Sequence, residues 1–382
     1  MKWRYPLSDI DLGREEERAV LKVLRSKWLS TGCVTERFEK AFSGYLGTGY
    51  AIAVSSGTSA LHLALCCLNL KEKDEVILPS LTFVATANAI LYMGAKPVFA
   101  DITGIGNFNI SPEEIEKKIT PKTRAIMVMH YGGYPCEMDS IMKLARRHGL
   151  FVVEDAAHAP GAEYHGKKCG TIGDLGCFSF FSNKNLVTGE GGMVVTRNRT
   201  WEERIRRLRS HGMSSLSWDK YRGHLSSYEV EELGYNYRTT EVQSAMGLIQ
   251  LKKLGRNNRK RKGLAEAYRY ALQGIQGISV PFLEFDGNPS YHLFPVLLGP
   301  AIDRNKVMKR LKNFGIQVSV HYPPVHLFSF YRRKFGYKTG MLPITEEVSR
   351  REITLPLHPL MNTEDVRWVT NQIRKVMKST GT

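Results

Sequence analysis

Lys184 closes the segment Cys177-Phe178-Ser179-Phe180-Phe181-Ser182-Asn183-Lys184, just ahead of Gly189-Glu190-Gly191-Gly192. Upstream, Phe151-Val152-Val153-Glu154-Asp155-Ala156-Ala157-His158 is an apolar run that ends in carboxylates. Such a run reads as a buried strand delivering an acid to the carboxyl edge of a sheet, where ligands of α/β proteins bind. The lysine segment would bring a hydroxyl, Ser179, and an amine to that edge. A third segment, Ala51-Ile52-Ala53-Val54-Ser55-Ser56-Gly57-Thr58-Ser59-Ala60-Leu61, passes from an apolar strand into a helix. Unpaired N–H groups and the positive end of the helix dipole would meet at Gly57-Thr58-Ser59 and attract phosphate. Acid, hydroxyl, amine and phosphate turn are together what pyridoxal phosphate requires: a partner for its ring nitrogen, phosphate contacts, and an amine to condense with its aldehyde.

Each feature alone has a plainer reading. A lysine is usually a solvated surface charge, and an aspartate at a strand end usually caps a turn. A Ser/Thr-capped strand–turn–helix needs no ligand. The argument rests on order and spacing. Condensation requires a neutral amine, so the site must lower the lysine pKa by desolvation, and Phe178, Phe180 and Phe181 are placed to keep it dry.

The elements that must position these groups alternate. Residues 75–78, 97–100, 124–130, 150–154 and 177–181 read as strands, and helices are expected near 14–26, 58–69, 84–93, 111–119 and 137–148. This alternation predicts an α/β fold with a large, mostly parallel sheet flanked by helices. Ser111-Pro112-Glu113-Glu114 is a helix start with a cap, a proline and early acids. A long helix near 240–273 is followed by Gly274, Gly277 and Pro281, then by a smaller α/β unit. That unit has strands near 291–298 and 316–321 and helices near 304–314 and 363–378. The expected division is a large cofactor-binding domain over 1–255 and a small C-terminal domain over 256–382.

Composition narrows the class. The chain has 382 residues, 42% hydrophobic and 24% charged, ordinary for a globular protein. No apolar run approaches the roughly 20 residues needed to span a bilayer, and Met1-Lys2-Trp3-Arg4-Tyr5-Pro6 lacks a signal-peptide core, so the cytoplasm is the expected location. The six cysteines form no C-x-x-C pair and read as buried thiols rather than a disulfide frame or a metal site. The net charge is +17, with basic clusters at 204–209 and 252–262. Three readings stand: a nucleic-acid surface, a solvated helix face, or a positive field for an anionic substrate.

Taken in order, the segments resemble the DegT/DnrJ/StrS family of fold-type I, pyridoxal-phosphate-dependent sugar aminotransferases. The resemblance runs from Gly13-Arg14-Glu15-Glu16-Glu17-Arg18 and Trp28-Leu29-Ser30-Thr31-Gly32 through the phosphate turn and Pro79-Ser80-Leu81-Thr82-Phe83-Val84-Ala85-Thr86-Ala87-Asn88. It continues through Glu154–Ala162 and the lysine segment to Leu233-Gly234-Tyr235-Asn236-Tyr237-Arg238. It implies that Lys184 bonds the cofactor and later moves the substrate proton, while Asp155 faces the pyridine nitrogen. It implies that Gly57 and Thr58, through backbone, and Ser179, through its hydroxyl, hold the phosphate, and that Phe83 stacks on the ring. His158 falls where a family residue, in many members glutamine, bonds the phenolic oxygen. Asn236 matches a residue supplied by the neighbouring subunit of a homodimer with shared active sites.

Val320-His321-Tyr322-Pro323-Pro324-Val325-His326 resembles a loop lining the sugar pocket, with His321, Tyr322 and His326 as candidate substrate contacts. Arg238 could pair with a donor carboxylate or a diphosphate. The implied reaction moves an amino group from an amino acid, glutamate by family habit, to a nucleotide-linked keto-sugar. A 4-keto-6-deoxyhexose is expected, with amination at C3 or of a keto-cyclitol as alternatives. Relatives that are sugar 3-dehydratases carry histidine at the lysine position, whereas this chain has Lys184. No metal, membrane or nucleic-acid partner is expected. The rival of another class is a regulatory or nucleic-acid-binding protein on the same fold.

Overall fold

The computed structural model describes residues 3–214 and 229–379; Met1 and Lys2, part of the N-terminal stretch read above, lie outside them. Seven strands form the main sheet in the spatial order Tyr50–Val54, Gly192–Thr196, Leu175–Ser179, Phe151–Asp155, Thr123–Met129, Glu75–Pro79, Lys96–Ala100. Gly192–Thr196 runs antiparallel to both neighbours, and every other pair is parallel. Strands covered on both faces need apolar residues at every position, which is why they read as continuous hydrophobic runs. Glu75–Pro79 and Gly192–Thr196 are buried throughout.

The helices expected near 14–26, 84–93, 111–119 and 137–148 are Arg14–Ser26, Val84–Tyr92, Pro112–Lys118 and Met138–His148. Ser111 accepts a hydrogen bond from the Glu114 N–H, as its sequence signature requires. Helices Cys33–Leu46, Arg199–Leu208 and Pro343–Arg351 and strand Gly192–Thr196 were not anticipated.

The long helix, Glu241–Leu272, is continuous across residue 255. Its Leu251 and Leu254 pack with the core on one face of the main sheet, whereas Leu264, Tyr268 and Leu272 join the core of the C-terminal unit. That unit holds a three-stranded antiparallel sheet of Ile278–Ser279, Phe294–Leu298 and Glu352–Leu355. The strand expected over 316–321 is not formed. This stretch makes isolated bridges to two different segments, Ile316 to Tyr5 and Ser319 to Thr354, so no continuous ladder forms.

The cysteines are all free, and five are buried while Cys33 is exposed. Among the described residues no helix is long and apolar enough to cross a membrane. The basic cluster at 204–209 is engaged within the chain, as is part of that at 252–262. Arg204 meets Glu232, Arg206 and Arg209 share Glu39, Lys253 binds Glu16 and Arg256 binds Asp11.

Candidate active site

The carboxyl ends of the parallel strands open into a cavity of about 350 Å³. Its lining contains Gly57, Thr58, Phe83, Asp155, His158, Ser179, Lys184, His321 and Tyr322, nine of the residues singled out above.

Period-two alternation delivers the acid. At the end of Phe151–Asp155, Asp155 faces the cavity while Glu154 points the other way, where it accepts the N–H groups of Gly170, Ile172 and Gly173 and pairs with His130. Asp155 is buried and accepts from Thr86 Oγ1 at 2.8 Å and from the Ala157 N–H at 3.1 Å. Burial pushes its pKa up, while Thr86, Ala157 and the Lys184 charge pull against that shift. Thr82 Oγ1 lies 2.8 Å from Thr86 Oγ1, so a threonine pair orients the carboxylate.

Lys184 turns into the cavity from the loop after Leu175–Ser179, its N–H bonded to the Phe181 carbonyl. Desolvation lowers its pKa to about 8, against the opposing attraction of Asp155. The next residue, Asn185, pins the loop: its Nδ2 donates to the Ser290 carbonyl and to Asn258 Oδ1, and its Oδ1 meets His292 Nδ1.

The phosphate turn is also built. Helix Gly57–Cys67 is capped by Ser56, whose Oγ accepts the Ser59 N–H at 3.1 Å. A Cβ on Gly57 would lie 2.8 Å from the Ser179 Cβ, so the close approach of turn and strand end requires glycine there. The Gly57 and Thr58 N–H groups have no helical acceptor of their own at this end.

His158 can be assigned a tautomer. The Gly132 N–H donates to its Nδ1 at 3.3 Å, and burial drives its pKa well down, so the ring is neutral with its proton on Nε2. That proton is donated to Tyr322 Oη at 2.9 Å, which leaves the Tyr322 O–H free to point elsewhere.

Three expected residues lie away from this cavity. Arg238 lines a separate cavity of about 130 Å³ with Trp28, Gly32, Arg206 and Arg209, and its Nη1 is buried without a partner. Asn236 is exposed and its backbone bridges to Ser210. His326 is fully buried, with Nδ1 2.7 Å from Ser80 Oγ and Nε2 3.2 Å from Glu346. The structure therefore puts His326 in the frame that holds its loop rather than at the cavity, because both ring nitrogens are engaged. Thr86, Asn185 and His292 were not anticipated as site residues. Thr82 and Thr86, four apart at a helix start, carried a readable signal; Asn185 and His292 meet only through folding.

The chain matches the DegT/DnrJ/EryC1/StrS aminotransferase family over residues 10–374. It belongs to that family. It is 45% identical to the uncharacterized protein MJ1066 of Methanocaldococcus jannaschii over 370 residues, 96% of each chain. It is 41% identical to the spore coat polysaccharide biosynthesis protein SpsC of Bacillus subtilis, over 96% of this chain and 95% of that one. Among solved structures, Helicobacter pylori PseC, an aminotransferase involved in the biosynthesis of pseudoaminic acid, superposes with a TM-score of 0.91 at 33% identity, covering 99% of this chain and 100% of that chain. The enzyme is thus a fold-type I, pyridoxal-phosphate-dependent aminotransferase of a sugar aminotransferase family.

The residues present fit that cofactor. An enclosed lysine with a lowered pKa, a buried carboxylate held by a threonine pair, and a glycine cradle against Ser179 at a helix N-terminus share one cavity. Bound there, pyridoxal phosphate supplies an aldehyde and an electron-accepting ring.

Proposed function

We propose that the enzyme transfers an amino group from L-glutamate to a nucleotide-linked keto-sugar, a 4-keto-6-deoxyhexose, in the cytoplasm, for cell-surface polysaccharide or deoxyamino-sugar biosynthesis. The observation that carries the reading is the shared cavity of Lys184 and Asp155 roofed by His321 and Tyr322. In this reading Lys184 binds the cofactor and, once released, moves a proton at the substrate carbon. Asp155 holds the ring nitrogen protonated, Gly57, Thr58 and Ser179 hold the phosphate, and Phe83 covers the ring. His321 Nε2 and Tyr322 Oη are polar groups suited to a hydroxylated ring. The roles of SpsC and PseC in polysaccharide and sugar biosynthesis support the substrate class.

The proposal includes a homodimer with shared sites. Asn236 is exposed and outside its own chain's cavity, three residues from Leu233, which is 82% exposed. Phe83, at 57%, is exposed at the cavity itself. Apolar groups in such positions suit a covering subunit. The test is turnover of a panel of nucleotide-linked keto-sugars with glutamate, with product structures determined. Amino-sugar formation at C4 is expected; amination only of simple keto-acids would overturn the sugar assignment.

A further inference from the structure

Behind the cavity wall, His321, Thr354 and Glu352 form a chain of hydrogen bonds that the proposed reaction does not use. His321 Nδ1 lies 2.8 Å from Thr354 Oγ1, and Thr354 Oγ1 is bonded in turn to Glu352 Oε1. The other carboxyl oxygen, Oε2, accepts the His321 N–H at 2.8 Å. Glu352 is fully buried and Thr354 almost so. His321 lines the cavity, and its hydrogen bonds among the described residues use Nδ1, the backbone N–H and the carbonyl, leaving Nε2 to the cavity.

We propose that Glu352 and Thr354 are positioning residues of a proton relay that sets whether His321 Nε2 meets the cavity as a hydrogen-bond acceptor or as a donor. A backbone N–H can only donate, so Oε2 is committed as an acceptor and a proton on Glu352 must sit on Oε1. Thr354 has a single proton to give. When Glu352 is a carboxylate, Thr354 donates to Oε1 and accepts from Nδ1–H, and Nε2 presents a lone pair. When a proton enters from the cavity at Nε2, the Nδ1 proton passes to Thr354 and the Thr354 proton passes to Oε1. The result is a protonated Glu352, a neutral His321 and Nε2–H at the cavity. One proton is taken up, none is lost, and no buried imidazolium forms.

The surroundings favour this proton count. Burial pushes Glu352 up to about 8 against Thr354, the His321 N–H and Arg304, and drives His321 down to about 4 with the help of Lys184. Tyr131 and Tyr322 also face Glu352, while His158 and His292 lie near enough to His321 to feel its charge, with burial holding both histidines well below the usual range. Tyr131 Oη holds the His321 carbonyl, fixing the backbone of the relay.

The experiment is ¹⁵N NMR of histidine-labelled unliganded protein, with His321→Asn assigning the resonance. Wild-type His321 is expected to stay neutral and change from the Nε2–H to the Nδ1–H tautomer as pH rises through about 8. In Glu352→Gln the side-chain carbonyl must face the His321 N–H, so its amide donates to Thr354 and Nε2–H should persist at every pH. Thr354→Val should abolish the pH response. A wild-type tautomer indifferent to pH, or a Glu352→Gln protein that switches as wild type does, would overturn the relay. The bearing on substrate rests on the sugar reading above: the KM for the keto-sugar should change about tenfold across the transition in wild type and not in Glu352→Gln, which separates the relay from Lys184, itself near 8. If the tautomer switches but that KM stays flat, the relay stands and the placement of the sugar against His321 fails.

Discussion

Burial brings the Lys184 amine to about 8, while Asp155 pulls it the other way across the cavity. Only the neutral amine can attack the cofactor aldehyde, so the rate of cofactor uptake by the unliganded protein should rise with pH to a midpoint near 8. Asp155→Asn removes the attraction that favours the ammonium form, so its midpoint should move lower. Stopped-flow absorbance across pH measures both, and a Lys184→Ala protein should form no lysine-linked chromophore. The same shift makes the unliganded protein more stable as pH rises above about 8, because the unfolded lysine binds its proton more tightly than the folded one. Gly57→Ala forces a Cβ to within 2.8 Å of the Ser179 Cβ. Strain of about 1–3 kcal/mol at the phosphate turn should weaken cofactor affinity about tenfold to a hundredfold, measured by equilibrium titration. At this scale Lys184 and Asp155 were legible because each ends a distinctive apolar run. Thr354 and Glu352 were not, since each acts only through the residue it touches.

Elements place these side chains, and their ends are held by groups distant in sequence. Glu241, buried at the start of the long helix, accepts the N–H groups of Gly32, Val34 and Thr35 and the Thr35 hydroxyl. It thereby satisfies the open N-terminus of helix Cys33–Leu46. Glu241→Ala would strand three N–H groups and should cost about 3 kcal/mol or more, read from denaturant unfolding, with Glu241→Gln losing less. The parallel strands were legible because burial on both faces leaves an uninterrupted apolar run. Gly192–Thr196 escaped because its first residue belongs to a glycine-rich turn. Helix Cys33–Leu46 carries Phe38, Phe42 and Leu46 at helical spacing, so its signal was present. Residues 316–321 have strand-like composition, but strand formation depends on a partner edge that sequence does not reveal.

For the whole molecule, the proposed shared-site dimer would make cofactor retention depend on assembly. Asn236→Ala should weaken cofactor binding while leaving each chain's own cavity lining intact, and dilution below the dimer dissociation constant should release cofactor from the wild type. Sedimentation with absorbance detection at the cofactor wavelength checks both; retention by a monomer would count against sharing. The +17 charge, ambiguous as composition, became more specific once Arg204, Arg206, Arg209, Lys253 and Arg256 were seen in ion pairs within the chain. Sequence by itself determined the α/β class, the family and the cofactor, and it singled out Lys184 and Asp155, which the fold brings into one cavity. Those follow from local patterns, an apolar run ending in an acid or an amine and a glycine at a helix start, whose spacing survives in one dimension. Tertiary structure decided which candidates meet. It separated His326 and Arg238 from the cavity, fixed the His158 tautomer through the Gly132 N–H, and joined His321 to Thr354 and Glu352. Those outcomes depend on directed contacts between residues far apart in the chain, and only folding specifies them.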